Sequence, residues 1–456
     1  MNHRLVVAQN SGGVHTRNIL PVLVVVGVIG VLGARFLGVI RKYSVNLLYL
    51  DQWGYLTPFF RHQPSIAELF FRQHGPHREG IGLIADKFLY PLTHWNSRVD
   101  SFLIGASIFA AMLLALLLKC KLYGALSSSD VAIPVIFLSL AQYETLVSVP
   151  NPAHSAFPLL LLMLYCLALL GHNWMLRYAC VLVLNYLLIY TGFGLFMGLV
   201  TVGLFLLECF WCWRHMTSVP LPPALAGLSV AAVSFASFFV HYTFNPAADC
   251  FEIPHRHLLQ YPRFMALMFS GFVVPRPLSV SLRMTVLGAS ILLVAVSVFC
   301  LHLVQLLKHP HSETHLIGAV LLGFCLLFAT NTAVGRLCQG LDKAYRSRYC
   351  TLLIPGFLAI YFYLLSKSWH GKRSLVLAVW VLLLLPAALR KPRIELEWLS
   401  SRELAWAACY VRTESISYCN QSADLVLNPY PERVGLQQKL DYLKQHRLNL
   451  FYKPAK

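Results

Sequence analysis

Long apolar stretches separated by short polar segments recur along almost the whole chain. A helix that crosses a bilayer needs about 20 mostly apolar residues, and stretches of about this length predict about eleven spans. These lie near residues 19–40, 99–118, 130–148, 154–171, 175–190, 192–211, 224–243, 285–307, 315–331, 349–366 and 374–389. We therefore expect an all-α polytopic membrane protein whose termini lie on opposite sides of the membrane.

The first apolar run resembles the core of a signal peptide, but it lacks a cleavage site of small residues. Gly33 and Ala34 are followed by Arg35 and Phe36, whereas signal peptidase sites have small side chains at alternate positions. We predict that this run is an uncleaved first span.

The segments between the predicted spans are of two kinds. Every second connection is short and slightly basic, as at Lys119, Arg177 and Arg214. The alternate side carries the long segments 41–98, 244–284 and 332–348 together with the tail 390–456. Because Lys and Arg favour short cytoplasmic loops, we expect a cytoplasmic N-terminus and an extracytoplasmic C-terminus.

The chain is expected to divide into a transmembrane domain, residues 1–390, and a small soluble extracytoplasmic region, residues 391–456. The second part contains seven of the nineteen acidic residues. Its segment from Leu436 to His446 has the apolar spacing of an amphipathic helix. Cys409 and Cys419 would be free to form a disulfide in an extracytoplasmic tail.

The composition agrees with a membrane protein. Hydrophobic residues make up 57% of the chain and charged residues 12%, whereas soluble domains carry about 25% charged residues. Both an ordinary soluble enzyme and a disordered chain are excluded. The formal net charge is +18, and many cations fall in the long outer segments. That excess predicts an anionic substrate outside the membrane and a lipid bilayer around the chain, with no nucleic-acid partner.

Asp51 stands about ten residues beyond the first span, within the sequence Leu50-Asp51-Gln52-Trp53. A carboxylate near lipid and aromatic surface is easily tuned in pKa, so Asp51 could act as a general base or electrostatic stabiliser. The alternative is a helix N-cap beside ordinary interfacial aromatic residues.

Glu144 falls about one turn from the outer end of the third predicted span. An ionisable group at that depth indicates function by default, and Glu144 could be a second acid facing the same cavity as Asp51. The alternative is a carboxylate that reaches the interface or pairs with a nearby Arg.

Histidine pairs occur three times in the polar segments. His74, His77 and Glu79 could suggest a metal site, and so could the pairs His255/His257 and His309/His311, but none has a full ligand set at a recognised spacing. A basic surface motif that binds phosphate through His74, His77 and Arg78 is the preferred interpretation.

Residues 331–349 are the richest polar segment. Its cations and glycines are typical of an anion-binding loop, because guanidinium groups match phosphate oxygens and glycine allows close backbone approach. The alternative is a belt of cations facing lipid headgroups. The binding candidates in this segment are Arg336, Arg346, Arg348 and Tyr349.

Two further segments, residues 264–274 and 192–194, are mostly apolar. Residues 264–274 are too short a stretch to span a bilayer and predict a re-entrant or surface helix that could guide a lipid-linked substrate. Gly192-Phe193-Gly194 lacks the strand, turn and helix of a nucleotide-binding motif.

The pattern resembles the GT-C fold of membrane glycosyltransferases, in particular uncharacterised bacterial members that use polyprenyl-phosphate sugars. The resemblance is carried by Asp51-Gln52-Trp53, the elements around His74 and Glu144, and Gly335-Arg336 leading to Ser347-Arg348-Tyr349. It implies a bacterial inner-membrane enzyme that transfers a sugar to a cell-envelope glycan, lipid or protein.

The resemblance also implies residue roles. Asp51 would be the catalytic base and Glu144 a second acid or orienting group, while Arg336, Arg346 and Arg348 would hold the donor phosphate. Gln52 stands where many members have a second acid, and Gly75-Pro76 replaces a more usual polar residue. The reduced acid set leaves a divalent cation, Mg²⁺ or Mn²⁺, open as a cofactor.

Two other functions fit parts of the pattern. A polysaccharide polymerase or ligase would also use Arg-rich outer loops and an undecaprenyl-linked donor. A lipid or solute transporter would be expected to have internal repeats, broken helices and midplane charges. The sequence has no visible repeat and few charges within its spans.

Overall fold

The structure is a computed structural model that describes residues 19–217, 219–244, 254–274, 280–310, 312–367, 371–429 and 435–452. About 78% of the described residues are helical. Helices α1 to α9 are Leu20–Tyr43, Gln52–Tyr55, Ile66–Phe71, Gly80–Leu92, Arg98–Tyr123, Ala132–Phe137, Ala156–Leu169, Trp174–Ile189 and Leu195–Trp213. Helices α10 to α18 are Leu221–Ser237, Gln260–Val273, Leu282–Lys308, Glu313–Arg336, Cys350–Ser366, Arg373–Leu389, Arg393–Thr413, Ile416–Ser422 and Leu436–Gln445.

A two-stranded antiparallel hairpin interrupts the helices in the first long segment. Its strands are β1, Gln73–His74, and β2, His77–Arg78, with Gln73 opposite Arg78 and His74 opposite His77. Gly75 in the two-residue turn has φ +54°, a value that favours glycine.

Seven helices in the described part of the chain are long and apolar enough to cross a membrane. They are Leu20–Tyr43, Arg98–Tyr123, Gly192–Trp213, Leu282–Lys308, Glu313–Gln339, Ser347–Ser366 and Arg373–Thr413. Four shorter apolar stretches coincide with further predicted spans: Ser128–Gln142, Ala156–Leu169, Trp174–Ile189 and Leu221–Ser237. The all-α, multi-pass character is therefore present, while a total of eleven spans stays a prediction.

Local signals place the helix ends. Asn173 accepts hydrogen bonds from the first backbone N–H groups of α8, and Ser281 does the same for α12, as expected of N-cap side chains. Gly124 ends α5 with φ +79°, the usual role of glycine after a helix.

Burial separates central helices from those that face lipid. In the most apolar 18 residues of the stretches containing α14 and α13, 83% and 72% of the residues are buried. For α1 and α12 the corresponding shares are 22% and 28%. Exposed Leu and Val side chains on outer helices suit a lipid environment, where the hydrophobic effect does not drive them inward. The protein core thus lies around α13 and α14.

The predicted continuous span at 130–148 is wrong, because the helix breaks. Helix α6 ends at Phe137, and a 3₁₀ turn at Leu140–Gln142 and a π-helical turn at Glu144–Ser148 follow. Ser139 Oγ accepts from the Ala141 N–H at 3.0 Å and donates to a carbonyl of α15 at 2.9 Å. The break is tolerated because the surrounding protein buries it.

Helix α11 covers most of the apolar stretch predicted as a re-entrant or surface helix. Its residues Phe264 and Ala266 through Val273 are buried, and it packs against α12 and α13. A surface helix is therefore the wrong alternative. Residues 245–253 and 275–279 of the same loop lie outside the described residues.

The C-terminal region packs against the first long segment of the chain. The predicted amphipathic helix forms as α18, and its Leu440 and Leu443 share one hydrophobic cluster with Leu48 and Trp53 of the first long segment. Cys409 and Cys419 are joined by a disulfide, as considered from the sequence. The region packs on the residues around Asp51.

Candidate functional site

Four segments that are distant in sequence meet at one end of the helix bundle. They are the turn at Asp51, the hairpin 73–78 with Glu79, the segment 144–154, and the segment 336–349. This end lies opposite the short basic loops predicted to be cytoplasmic. We describe the site from its most buried group outward.

Glu79 is fully buried at the centre of the site. Asn151 Nδ2 donates to Glu79 Oε2 over 2.6 Å. His154 Nε2 lies 2.6 Å from the other carboxylate oxygen, Oε1, and His74 Nδ1 lies 3.5 Å from that same atom. Because a buried carboxylate needs such partners, Glu79 fixes the positions of one amide and two imidazoles.

The pKa values in this group depend on one another. Burial alone would raise the pKa of Glu79, but His154 and His74 hold it well below its ordinary value. Burial would lower the pKa of His74, but the hydrogen bond and charge of Glu79 outweigh this and raise it. Burial and the neighbouring His154 lower the pKa of His77 to about 3. The site thus combines an easily protonated His74 with a neutral His77.

Arg78 is not part of an exposed basic motif, contrary to the interpretation from the sequence. The residue is buried, and its guanidinium donates to the carbonyl oxygens of Phe71, Phe238 and Val240. These bonds tie the hairpin to the end of α10. Arg78 therefore anchors the hairpin, and its neighbours His74 and His77 face the site.

The turn after α8 forms one wall of the site. Gly192 has φ +69°, and a Cβ placed there would lie 2.9 Å from His154 Cδ2. Phe193 contacts the rings of His77 and His154, with centroids 4.6 and 5.5 Å apart. Gly192 is thus required by a close approach to the imidazole and not by a nucleotide.

Asp51 directly precedes α2, but its side chain makes no capping hydrogen bond. The N-cap alternative is therefore wrong. The charge of Asp51 acts on both His74 and Arg348. The carboxylate therefore lies within electrostatic reach of the hairpin and of residues 336–349, called the arginine segment below. The neighbouring Trp53 and Tyr55 are buried and do not form an interfacial belt.

Glu144 joins the broken helix to the arginine segment. Its Oε2 accepts the Arg348 backbone N–H at 3.2 Å, and its Oε1 lies 3.9 Å from Arg346 Nη1. Its own backbone N–H donates to Ser347 Oγ at 3.2 Å. Pairing with an arginine, one of the two alternatives from the sequence, is observed. Glu144 thereby orients the loop that carries Arg346 and Arg348.

The arginine segment is built from short turns after α13. Arg336 ends that helix, and its charge acts on His77. Three 3₁₀ turns follow, at Leu337–Gln339, Leu341–Tyr345 and Ser347–Tyr349. Tyr349 is buried, with its ring centroid 5.7 Å from Arg348 Cζ. The segment thus presents cations near the hairpin and Asp51.

The residues of the site do not fit a divalent cation. Mg²⁺ needs near-octahedral oxygen coordination, which it usually completes with one or two carboxylates and substrate phosphate. Among the residues that the structure describes, no three His, Cys, Asp or Glu side chains are grouped to hold a metal ion. Glu79 and Glu144 already bind cationic or N–H partners. His311 of the third histidine pair lies outside the described residues.

A second buried polar group lies behind Glu79. Tyr90 OH donates to Asp100 Oδ2 over 2.6 Å, and Asp86 is fully buried close by. Burial and the charge of Asp100 raise the pKa of Asp86 well above its ordinary value. The raised pKa favours the protonated form of Asp86, because two buried carboxylates this close do not readily both carry charge.

The sequence interpretation missed part of the site. The sequence pattern does not single out Asn151 and His154, and Gly192-Phe193 stands in it only as an incomplete nucleotide-binding motif. A signal was present, because Asn151-Pro152-Ala153-His154 is a polar interruption between two apolar runs. Polar residues at that position, on the predicted outer side, could have been grouped with the hairpin.

The fold and site together define a class: an all-α membrane protein with a buried carboxylate, imidazoles and arginines at one end of its helix bundle. No model of a known protein family, no curated protein and no solved structure is detectably similar to this chain. The roles given to individual residues stay predictions.

Proposed function

We propose that the chain is a GT-C-type membrane glycosyltransferase that transfers a sugar from a polyprenyl-phosphate donor to a cell-envelope acceptor. The acceptor is a glycan, lipid or protein at the extracytoplasmic face of the bacterial inner membrane. One observation supports this proposal most strongly. The Asp51 carboxylate makes no capping hydrogen bond to α2, and it lies within electrostatic reach of Arg348 and His74. A proton acceptor beside cations is what this reaction requires.

In the proposed reaction, the acceptor hydroxyl oxygen attacks the anomeric carbon and gives its proton to Asp51. The new bond joins that oxygen to the anomeric carbon, and the bond from the anomeric carbon to the phosphate oxygen breaks. The leaving polyprenyl phosphate keeps the electron pair. Arg336, Arg346 and Arg348 stabilise its charge, because guanidinium groups bind phosphate oxygens in a fixed planar geometry.

The imidazoles add to the same chemistry. Glu79 raises the pKa of His74 above its ordinary value, so His74 is protonated more readily than a free imidazole, and its protonated form would add positive charge near the leaving phosphate. His77 stays neutral and contacts Phe193, which makes it part of the wall beside the sugar. These roles do not require a metal ion.

Disulfides favour an extracytoplasmic location for this end of the protein. Cys409 is bonded to Cys419 in the C-terminal region that packs on the Asp51 turn. Cys338, within the arginine segment, is also disulfide-bonded. Disulfides persist in oxidising compartments such as the bacterial periplasm, and the short basic connections at the other end of the bundle agree with that orientation.

The test is replacement of Asp51 by Asn, which keeps the shape and removes the base. Membranes containing the protein are incubated with radiolabelled polyprenyl-phosphate hexoses and an envelope extract. We expect transfer to fall at least about 100-fold, as loss of a general base typically does, with normal membrane insertion. The control is Glu68→Gln, an exposed acid of the same loop that pairs with His62. Full transfer by the Asp51 variant would contradict the assignment.

The phosphate-binding role is tested separately. Arg336→Ala and Arg348→Ala should each weaken binding of undecaprenyl phosphate in nanodiscs, measured by native mass spectrometry. Lys308→Ala, at the opposite end of the bundle, is the control. Undiminished lipid-phosphate binding by both arginine variants would count against a phosphate-binding role for the arginine segment.

Transport of a lipid-linked sugar is a second candidate, favoured by the helix break after Phe137. Transporters commonly bind their substrates at discontinuous helices. Transport shares the anionic lipid but needs no proton acceptor. Movement of the lipid across sealed vesicles, without sugar transfer and without dependence on Asp51, would favour this alternative.

A further inference from the structure

We propose that the buried Lys439 is a positioning residue, which sets the location of Asp51 from the C-terminal region. This inference rests on the proposed function, because it concerns how the proposed base is held. It follows from hydrogen bonds that reach both sides of Asp51 from residues more than 370 positions away along the chain.

The first of these bonds holds the residue before Asp51. Leu50 has φ +48°, a left-handed conformation that is costly for a side chain with a Cβ and persists only when its surroundings impose it. Its backbone N–H donates to the carbonyl oxygen of Leu427 at 3.0 Å, and Leu427 is fully buried. The unusual backbone at Leu50 is thus supported by the C-terminal region.

Lys439 makes the second connection, just after Asp51. It lies on α18 and is fully buried. Its Nζ donates to the carbonyl oxygen of Trp53 at 2.6 Å and to Thr57 Oγ1 at 2.9 Å. Hydrogen bonds from an ammonium group are stronger than neutral ones. Lys439 therefore fixes α2, the short helix that begins one residue after Asp51.

Gln52 links α2 to the rest of the site by hydrogen bonds. Its Oε1 accepts the Tyr49 N–H at 3.0 Å, and its Nε2 donates to the Pro150 carbonyl at 2.9 Å. Pro150 directly precedes Asn151, the partner of Glu79. A shift of α2 would therefore change the distance between Asp51 and the group around Glu79.

The position of a proton acceptor affects the chemical step more than substrate binding. A displacement of about 1 Å can lower a rate about 100-fold. The donor phosphate is held mainly by the arginine segment, which Lys439 does not touch in any contact described above. We therefore expect Lys439→Met to lower kcat by roughly 10- to 100-fold, as a displacement of this size would. The KM for the donor should stay within about twofold of the wild-type value.

The experiment compares Lys439→Met with Lys444→Met in the full-length protein in nanodiscs. Lys444 is on the same helix, but it is exposed and pairs with Glu414 at 2.6 Å. Hydrogen exchange is followed in peptides covering residues 48–57 and 73–79, together with sugar transfer. Lys439→Met should speed exchange at 48–57 only, and Lys444→Met should change neither peptide. Lys439→Arg should restore part of kcat.

Thr57→Val serves if Lys439→Met does not fold, since it removes one acceptor of Lys439 and leaves the lysine in place. Unchanged exchange at 48–57 in the folded variant, or unchanged kcat in an active enzyme, would overturn the positioning role. Absence of sugar transfer by the wild-type protein would instead overturn the proposed function. The two failures are thus distinguishable.

Discussion

The buried carboxylate Glu79 offers a direct test of how the site is held together. We predict that Glu79→Gln destabilises the protein far more than Glu68→Gln does. Both acids belong to the same loop and both pair with histidine, at 2.6 Å for Glu79 and His154 and at 2.9 Å for Glu68 and His62. Their side chains differ in exposure, which is 0% for Glu79 and 42% for Glu68.

The magnitude follows from the contacts that are lost. Removing one member of a buried charged pair typically costs about 3–5 kcal/mol, and we expect about 3 kcal/mol for Glu79→Gln because the amide keeps one acceptor oxygen. The new NH₂ group would also face the donors on Asn151 or His154. For the exposed pair of Glu68, about 0–1 kcal/mol is expected.

The cost of Glu79→Gln should also depend on pH. The folded pKa of His74 is raised by Glu79, so this stabilisation is fully present below the unfolded pKa of about 6.5 and is lost as pH rises through the folded pKa. The folded pKa of Glu79 is lowered, and its contribution is lost only at acid pH, as pH falls through that lowered value. The variant should therefore differ more from wild type at pH 6 than at pH 9.

The measurement is the free energy of unfolding in mixed micelles, obtained by titrating a denaturing detergent at several pH values. Glu68→Gln is carried through the same titrations. Equal losses for the two variants would refute the central role of Glu79. A large loss that does not change between pH 6 and pH 9 would leave its burial intact but refute its coupling to His74.

Two further substitutions test other parts of the molecule. Gly192→Ala should lower the stability of the folded protein by about 1–3 kcal/mol, because φ is positive there and the new Cβ would press on His154. Thermal denaturation measures the effect. The control is Gly203→Ala, in open space on α9, which should be neutral or slightly stabilising in the same assay. Asp130→Asn should lower the free energy of unfolding by about 3–5 kcal/mol, because it breaks the buried 2.8 Å pair with Lys119. A loss below about 1 kcal/mol would show that this pair is not effectively buried.

The membrane architecture follows from hydrophobic run length, because each apolar run has to form its hydrogen bonds within itself. This argument fails where burial in protein replaces burial in lipid. The run at 130–148 contains Pro134, Ser139 and Glu144 among its apolar residues, and Ser139 hydrogen-bonds to the backbone where the helix breaks. The polar residues set this run apart from its neighbours, but the local sequence does not identify α14 and α15 as the helices that enclose it.

The site residues chosen by chemical type differ in how well they could be placed. Asp51 and Glu144 stand out in the sequence because acids are rare in this chain and both lie near the predicted outer ends of spans. Arg78 shows what the sequence does not reveal. An arginine whose guanidinium binds three carbonyl oxygens has the same local sequence as one whose guanidinium is available to phosphate. The partners of Arg78 on Phe238 and Val240 lie about 160 residues away, and only the fold brings them together.

The convergence of these residues is selective, and this selectivity supports the proposed function. If all polar loops on one side simply met, the pair His255 and His257 would be expected to join the site as well. Instead the backbone N–H of His257 donates to His255 Nδ1, and the backbone N–H of His255 donates to Tyr261 OH. Among the histidines of these pairs that the structure describes, His74 of the hairpin pair reaches a carboxylate, that of Glu79. A site assembled around an acid and cations, from segments far apart in sequence, is what phosphate-leaving chemistry needs and what loop crowding alone does not produce.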